Sequence, residues 1–116
     1  MQIYLTGKHL KVVPRLREHV EHHLEKLSHY DAGVISAHVL LKAEKYLNVA
    51  EVTLKASHFE FYGEGRADDN MFSAIDLAVH RVENQLKKHR EKIKTLRKHT
   101  SRATSAIAKR ILGATP

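Results

Sequence analysis

Between residues 81 and 94 the chain reads RVENQLKKHREKIK, with six Lys/Arg side chains against only Glu83 and Glu91. Guanidinium and ammonium groups at this density do one kind of chemistry well, which is to hold the phosphate and sugar oxygens of a nucleic acid. Their spacing is helical. At about 100° per residue, Arg81, Lys88 and Lys92 fall on one flank, and Lys87 and Lys94 on the other. Arg90 lies nearer the apolar seam of Val82, Leu86 and Ile93. A helix that balanced its own charge would place Glu four residues ahead of Lys. Glu83 meets Lys87 in this way, whereas Glu91 meets Thr95. Successive helical turns set such cations about 5.4 Å apart, close to the roughly 6–7 Å between neighbouring phosphates. The seam is expected to hold the fold and the flanks to hold a phosphate backbone.

Other reactive residue types carry weaker signals. Among ten histidines, His19 and His23 stand four apart, a spacing that can chelate zinc. "HVEHH" is not HExxH, however, and the sequence alone places no third ligand, so the expectation is no metal site and no other cofactor. The blander alternative is a polar helix face whose imidazoles add charge when protonated. No glycine-rich nucleotide loop is present, because "GEG" at 63–65 is followed by neither Lys-Ser/Thr nor a helix start. Glu44, Glu51, Glu60 and Glu64 alternate with other residues as the wet face of a sheet does. No catalytic residues and no small-molecule substrate are expected.

The overall charge points the same way. Residues 1–80 hold 9 Lys/Arg against 11 Asp/Glu, a net of −2, and residues 81–116 hold 11 against 2, a net of +9. A localised excess favours a polyanion over a merely solvated surface. Membrane binding is the poorer reading, since the bulky apolar residues of the basic segment are needed for a core. No apolar run reaches the roughly 18 residues of a membrane span, and the N-terminus lacks signal-peptide features. With no cysteine, thiol chemistry is excluded and a cytoplasmic location is the default.

The 116 residues, 42% of them hydrophobic, suit one small domain. Ile3 and Leu5 alternate with polar neighbours before Thr6-Gly7, which reads as a strand. Pro14 suits a helix start, and Leu16, Val20, Leu24 and Leu27 form one stripe of a helix running to about Tyr30, ended by Asp31-Ala32-Gly33. Three strands follow. Ile35, Ala37, Val39, Leu41 and Ala43 face inward on the first, Ala50, Val52, Leu54 and Ala56 on the second, and Phe59 and Phe61 on the third. Gly63 and Gly65 on that third strand suggest close approach by a helix. Asp68, Asp69 and Asn70 offer capping for a long helix striped by Ile75, Val79, Val82, Leu86, His89, Ile93 and Leu96. The fold class is therefore α+β, ordered β-α-β-β-β-α. Two helices pack on one face of a mostly antiparallel four-stranded sheet, an arrangement resembling a double-stranded RNA-binding domain. Residues 1–99 form the domain, and 100–116 a basic, flexible tail.

"ADDNMFSAIDLAVHRVENQLKKHREKIK" resembles the signature of the ribosome hibernation-promoting factor and ribosome-associated inhibitor family, also called sigma-54 modulation proteins. "MQIYLTGKHLKVVPRLREHVEHHLEKL" resembles its opening and "LLKAEKY" its second strand. The resemblance covers about residues 1–96 and is to the short form. It implies a non-enzymatic protein that binds the small ribosomal subunit and its rRNA in the messenger and transfer RNA channel. Translation is thereby silenced, and ribosomes are preserved under stress or in stationary phase. It places basic family positions on Arg81, Lys88, Arg90 and Lys92 with Gln85 beside them, on Arg17 and Lys26 in the first helix, and on Lys42 and Lys45 in the strand motif. His23 and Asn84 depart from the family's usual Lys and occasional Arg, and the tail ends basic where the inhibitor branch ends acidic. Whether ribosomes are paired with a helper protein or kept single stays open. Two other classes stay open as well: a general structured-RNA-binding module, and a protein-interaction modulator of transcription.

Overall fold

A computed structural model describes residues 1–29 and 34–100, with side chains described as far as Lys92. The elements are β1 (Gln2–Lys8), α1 (Pro14–Leu27), β2 (Val34–Glu44), β3 (Leu47–Ala56), β4 (Glu60–Ala67) and α2 (Met71–Thr100). They form one sheet in the order β1-β2-β3-β4. β1 runs parallel to β2, and the other two pairs are antiparallel. The expected β-α-β-β-β-α order and the β2–β4 meander are present. α1 ends at Leu27 with Ser28 as its C-cap, short of the expected Tyr30, while the Asp31-Ala32-Gly33 stop signal and most of the expected tail lie outside the described residues.

Both helices cover the same face of the sheet. Leu16, Val20, Leu24 and Leu27 of α1 are buried with Ala37, Val39, Leu41, Ala50, Val52 and Leu54 of the sheet. Ala74, Ile75, Ala78, Val79, Val82 and Leu86 of α2 complete this core. Fully burying one such aliphatic side chain contributes about 1.5–3 kcal/mol, so the stripe fixes the rotation of α2 and hence the direction of its flanks. At the start of α2, Asn70 Oδ1 accepts the Ser73 backbone N–H at 2.9 Å, which satisfies one of the helix's open donors. The Asp69 carboxylate accepts from Ser73 Oγ at 2.9 Å. Hydrogen bonds from the Asn70 backbone and from Ser73 hold its pKa below the ordinary value.

Two inward assignments differ from the sequence expectation. The β2–β3 register shifts between Val34 and Ser36. An irregularity of this kind turns the alternation by one residue, so Ile35 is 59% exposed while Val34 packs against the core. Phe59 precedes β4 rather than belonging to it. It lies against the His89 ring at 4.0 Å between centroids, while Phe61 takes the core position.

The glycines of β4 set the distance of α2 from the sheet. A Cβ on Gly63 would come within 2.5 Å of the Ala78 carbonyl oxygen. One on Gly65 would run into the Ala74 carbonyl and sit 2.7 Å from the Ala78 nitrogen. Backbone cannot yield as a side-chain tip can, so Gly65→Ala should lift α2 and destabilise the fold by about 1–3 kcal/mol. Urea unfolding measures this, and an unchanged midpoint would mean that α2 does not bear on β4 there.

Candidate nucleic-acid interface

The flank of α2 that crosses β4 does two different things along its length. Tyr62 and Glu64 turn backbone groups toward the free edge of the sheet, where no further strand among the described residues pairs with them. Gln85 takes up both groups of Tyr62. Its Oε1 accepts the Tyr62 N–H at 3.1 Å, and its Nε2 donates to the Tyr62 carbonyl at 2.5 Å. One turn earlier, Arg81 donates from Nη1 to the Glu64 carbonyl. An open strand edge invites pairing with other chains, and side chains that occupy it remove that hazard. Arg81 and Gln85, both expected to contact RNA, therefore have structural work at the edge. Gln85→Ala should cost about 0.5–1.5 kcal/mol and speed hydrogen exchange at the Tyr62 amide. An unaltered exchange rate would show that the edge is held in another way.

Beyond Gln85 the same flank carries Lys88 and Lys92, both exposed, at steps of three and four that keep them in line with it. Neither forms an ion pair with a described carboxylate, nor does Arg90, which is also exposed. Lys87, on the opposite flank, lies 3.6 Å from Glu83, the one i,i+4 pair that the spacing predicted. Behind this segment His89 wedges against Phe59 and Phe61, and its buried Nε2 has no hydrogen-bond partner among the described residues. The side chain of Lys94 lies outside the described residues.

The remaining expected contacts are dispersed. Arg17 and Lys26 are both exposed on α1, but nine residues at about 100° each put them on opposite flanks. Lys42 lies on the open face of the sheet, away from both helices. It reaches the Glu51 carboxylate at 2.9 Å, and Glu51 also accepts from Tyr62 Oη at 2.6 Å. These two hydrogen bonds hold the Glu51 carboxyl below its ordinary pKa, and the carboxylate in turn pushes the Tyr62 phenol up to about 12. Lys45 stands at the β2–β3 turn with φ of 34°, a left-handed conformation that costs a side-chain-bearing residue about 1 kcal/mol or more. Next to it Tyr46 is 89% exposed. The sequence reading overlooked this aromatic; its place in the two residues between β2 and β3, beside a lysine, was the signal available. Tyr4 and His38 stack on the open face at 4.7 Å beside Thr53 and Tyr62.

Across the interhelical seam, His19 Nε2 lies 2.7 Å from Asp76 Oδ1 and His23 Nε2 lies 3.4 Å from the same atom. Burial, with His19 nearby, lowers the His23 pKa. No described helix is long and apolar enough to cross a membrane.

Comparison with known proteins agrees with this architecture. The family model described as sigma 54 modulation protein / S30EA ribosomal protein matches residues 3–94. A ribosome hibernation promoting factor of Pseudomonas putida is 36% identical over 100 residues, spanning 83% of this chain and 93% of its own. One from Escherichia coli K12 is 32% identical over 94 residues, spanning 81% and 98%. Among solved structures, the N-terminal domain of Thermus thermophilus protein Y superposes with a TM-score of 0.71 at 31% identity, covering 77% of this chain and 99% of that one. A ribosomal subunit interface protein from Coxiella burnetii superposes with a TM-score of 0.73 at 24% identity, covering 78% and 99%. The last shares the fold.

Proposed function

The chain belongs to the sigma 54 modulation protein / S30EA ribosomal protein family, and on that premise we propose that it binds the small ribosomal subunit and silences translation. Bound in the channel that messenger and transfer RNA use, it blocks their entry and preserves ribosomes under stress. The observation that carries this reading is the row of exposed cations on the second half of α2, with Lys88, Arg90 and Lys92 unmatched by described carboxylates. Such a row repels itself, modestly in salt, and a polyanion relieves that cost.

The contacts are with phosphate and sugar more than with base edges, because lysine and arginine on a convex helix follow a backbone and leave recognition to the shape of the RNA. Lys87, Lys88, Arg90, Lys92 and Lys94 supply the main contact. Arg17, Lys26 and Lys42 lie on other surfaces and engage RNA only if the channel wraps the domain. Lys45 and Tyr46 at the hairpin tip add a charge and a stacking surface. Arg81 and Gln85 serve first to hold β4 beneath the helix, and their loss weakens binding by loosening that support. The function involves no catalysis, and its cellular place is the cytoplasm, with the ribosomes.

Cosedimentation decides between ribosome binding and the two broader readings. The endogenous protein should travel with small subunits or whole ribosomes in stationary-phase lysate, and excess unrelated RNA hairpin should not release it. Release by the hairpin would make it a general RNA-binding module. Absence from the ribosomal fractions would return the case to a protein-interaction role.

A further inference from the structure

We propose that His19, His23 and Asp76 form a binding site for a zinc-class divalent cation that clips α1 to α2. The three come from two elements. The histidines are one turn apart on α1, so their rings share a face, and Asp76 stands in the second turn of α2. One ligand atom from each lies within 4.8 Å of the others. Zinc binds imidazole nitrogen and carboxylate oxygen at about 2.0–2.2 Å, and two ligands of a tetrahedral ion are then about 3.3–3.5 Å apart. His23 Nε2 and Asp76 Oδ1 already stand at 3.4 Å. His19 Nε2, at 2.7 Å from the same oxygen, needs to open by well under 1 Å, which a ring rotation supplies.

The arrangement without an ion is a poor use of three polar groups. Both imidazoles converge on one carboxylate oxygen, and their ring centroids are 4.4 Å apart. One protonated ring can pair with the carboxylate, but a second protonated ring beside it would repel the first. Two neutral rings share one acceptor, and the longer contact gains little. An ion among the three satisfies all of them at once. Two imidazoles and one carboxylate suit zinc, cobalt, nickel or copper better than magnesium or calcium, which prefer oxygen-only shells. The site is open enough to load from solvent, with side-chain exposures of 24% for His19, 28% for His23 and 52% for Asp76. Water completes the coordination. Phe72 packs edge-on against the His19 ring at 4.9 Å and fixes one ligand's plane. The site uses none of the α2 cations from Lys87 onward, so it stands or falls separately from the ribosome reading.

The test is titration of the chelator-stripped full chain with zinc chloride, followed by calorimetry and by the NMR signals of the histidine ring nitrogens. One equivalent should bind, shifting the Nε2 signals of His19 and His23 and raising the melting temperature. His23→Gln and Asp76→Asn should each weaken binding at least tenfold, while His58→Gln, in an exposed loop, should leave it unchanged. Should Asp76→Asn fail to fold by circular dichroism, His23→Gln alone decides. No binding at 100 µM zinc, or wild-type affinity in His23→Gln, would overturn the assignment.

Discussion

Replacing Lys88 and Lys92 together by glutamate should reduce affinity for the small ribosomal subunit by about 100-fold or more while leaving the domain folded. Each substitution exchanges a favourable phosphate contact for a repulsive one, and a factor of ten corresponds to about 1.4 kcal/mol. Two reversed contacts need supply only that much each, within the range for charge-assisted hydrogen bonds. The fold has little to lose. Both side chains are exposed and neither pairs with a described carboxylate, and surface changes of this kind usually fall within about 0.5 kcal/mol. Cosedimentation and thermal melting, measured on the same preparation, separate the two effects. Binding that survives in a folded double variant would mean that another face meets the ribosome.

The second large effect is on salt dependence. A helix that neutralises about five phosphates releases their condensed counterions, giving a slope near −4 in a plot of log affinity against log salt. Raising salt fourfold, from about 50 to 200 mM, should then weaken binding by roughly 200- to 300-fold. The Lys88→Glu/Lys92→Glu variant should show a shallower slope, because two of the releasing contacts are gone. A flat line for the parent chain would replace the phosphate picture with an apolar or protein-borne contact.

The layout of elements was legible because each rests on a local pattern. Leu16, Val20, Leu24 and Leu27 could form only one stripe, and the same four residues are buried against the sheet. Gly63 and Gly65 announced a close helix, and backbone atoms of Ala74 and Ala78 are what lies over them. Local pattern failed at Ile35, where a register shift in β2 reverses which side of the strand faces the core. Nothing in the alternation itself marks such a shift. Arg81, Lys87, Lys88 and Lys92 are exposed, as their place off the apolar seam implied, yet spacing alone could not tell Arg81 and Gln85 from Lys88 and Lys92. That distinction depends on where the free edge of β4 passes beneath α2, a fact of topology rather than spacing. The histidine pair shows the same limit. His19 and His23 were visible as possible ligands, but Asp76 lies 57 residues from His19 along the chain, and only the packing of α2 beside α1 brings it within 2.7 Å.

A photo-crosslinking side chain placed at position 88 and activated on ribosomes from stationary-phase cells tests the central claim most directly. Attachment should map to small-subunit rRNA lining the channel for messenger and transfer RNA, and prior loading of that channel should suppress it. Crosslinks confined to ribosomal proteins on the outer surface, or insensitive to a filled channel, would contradict the account.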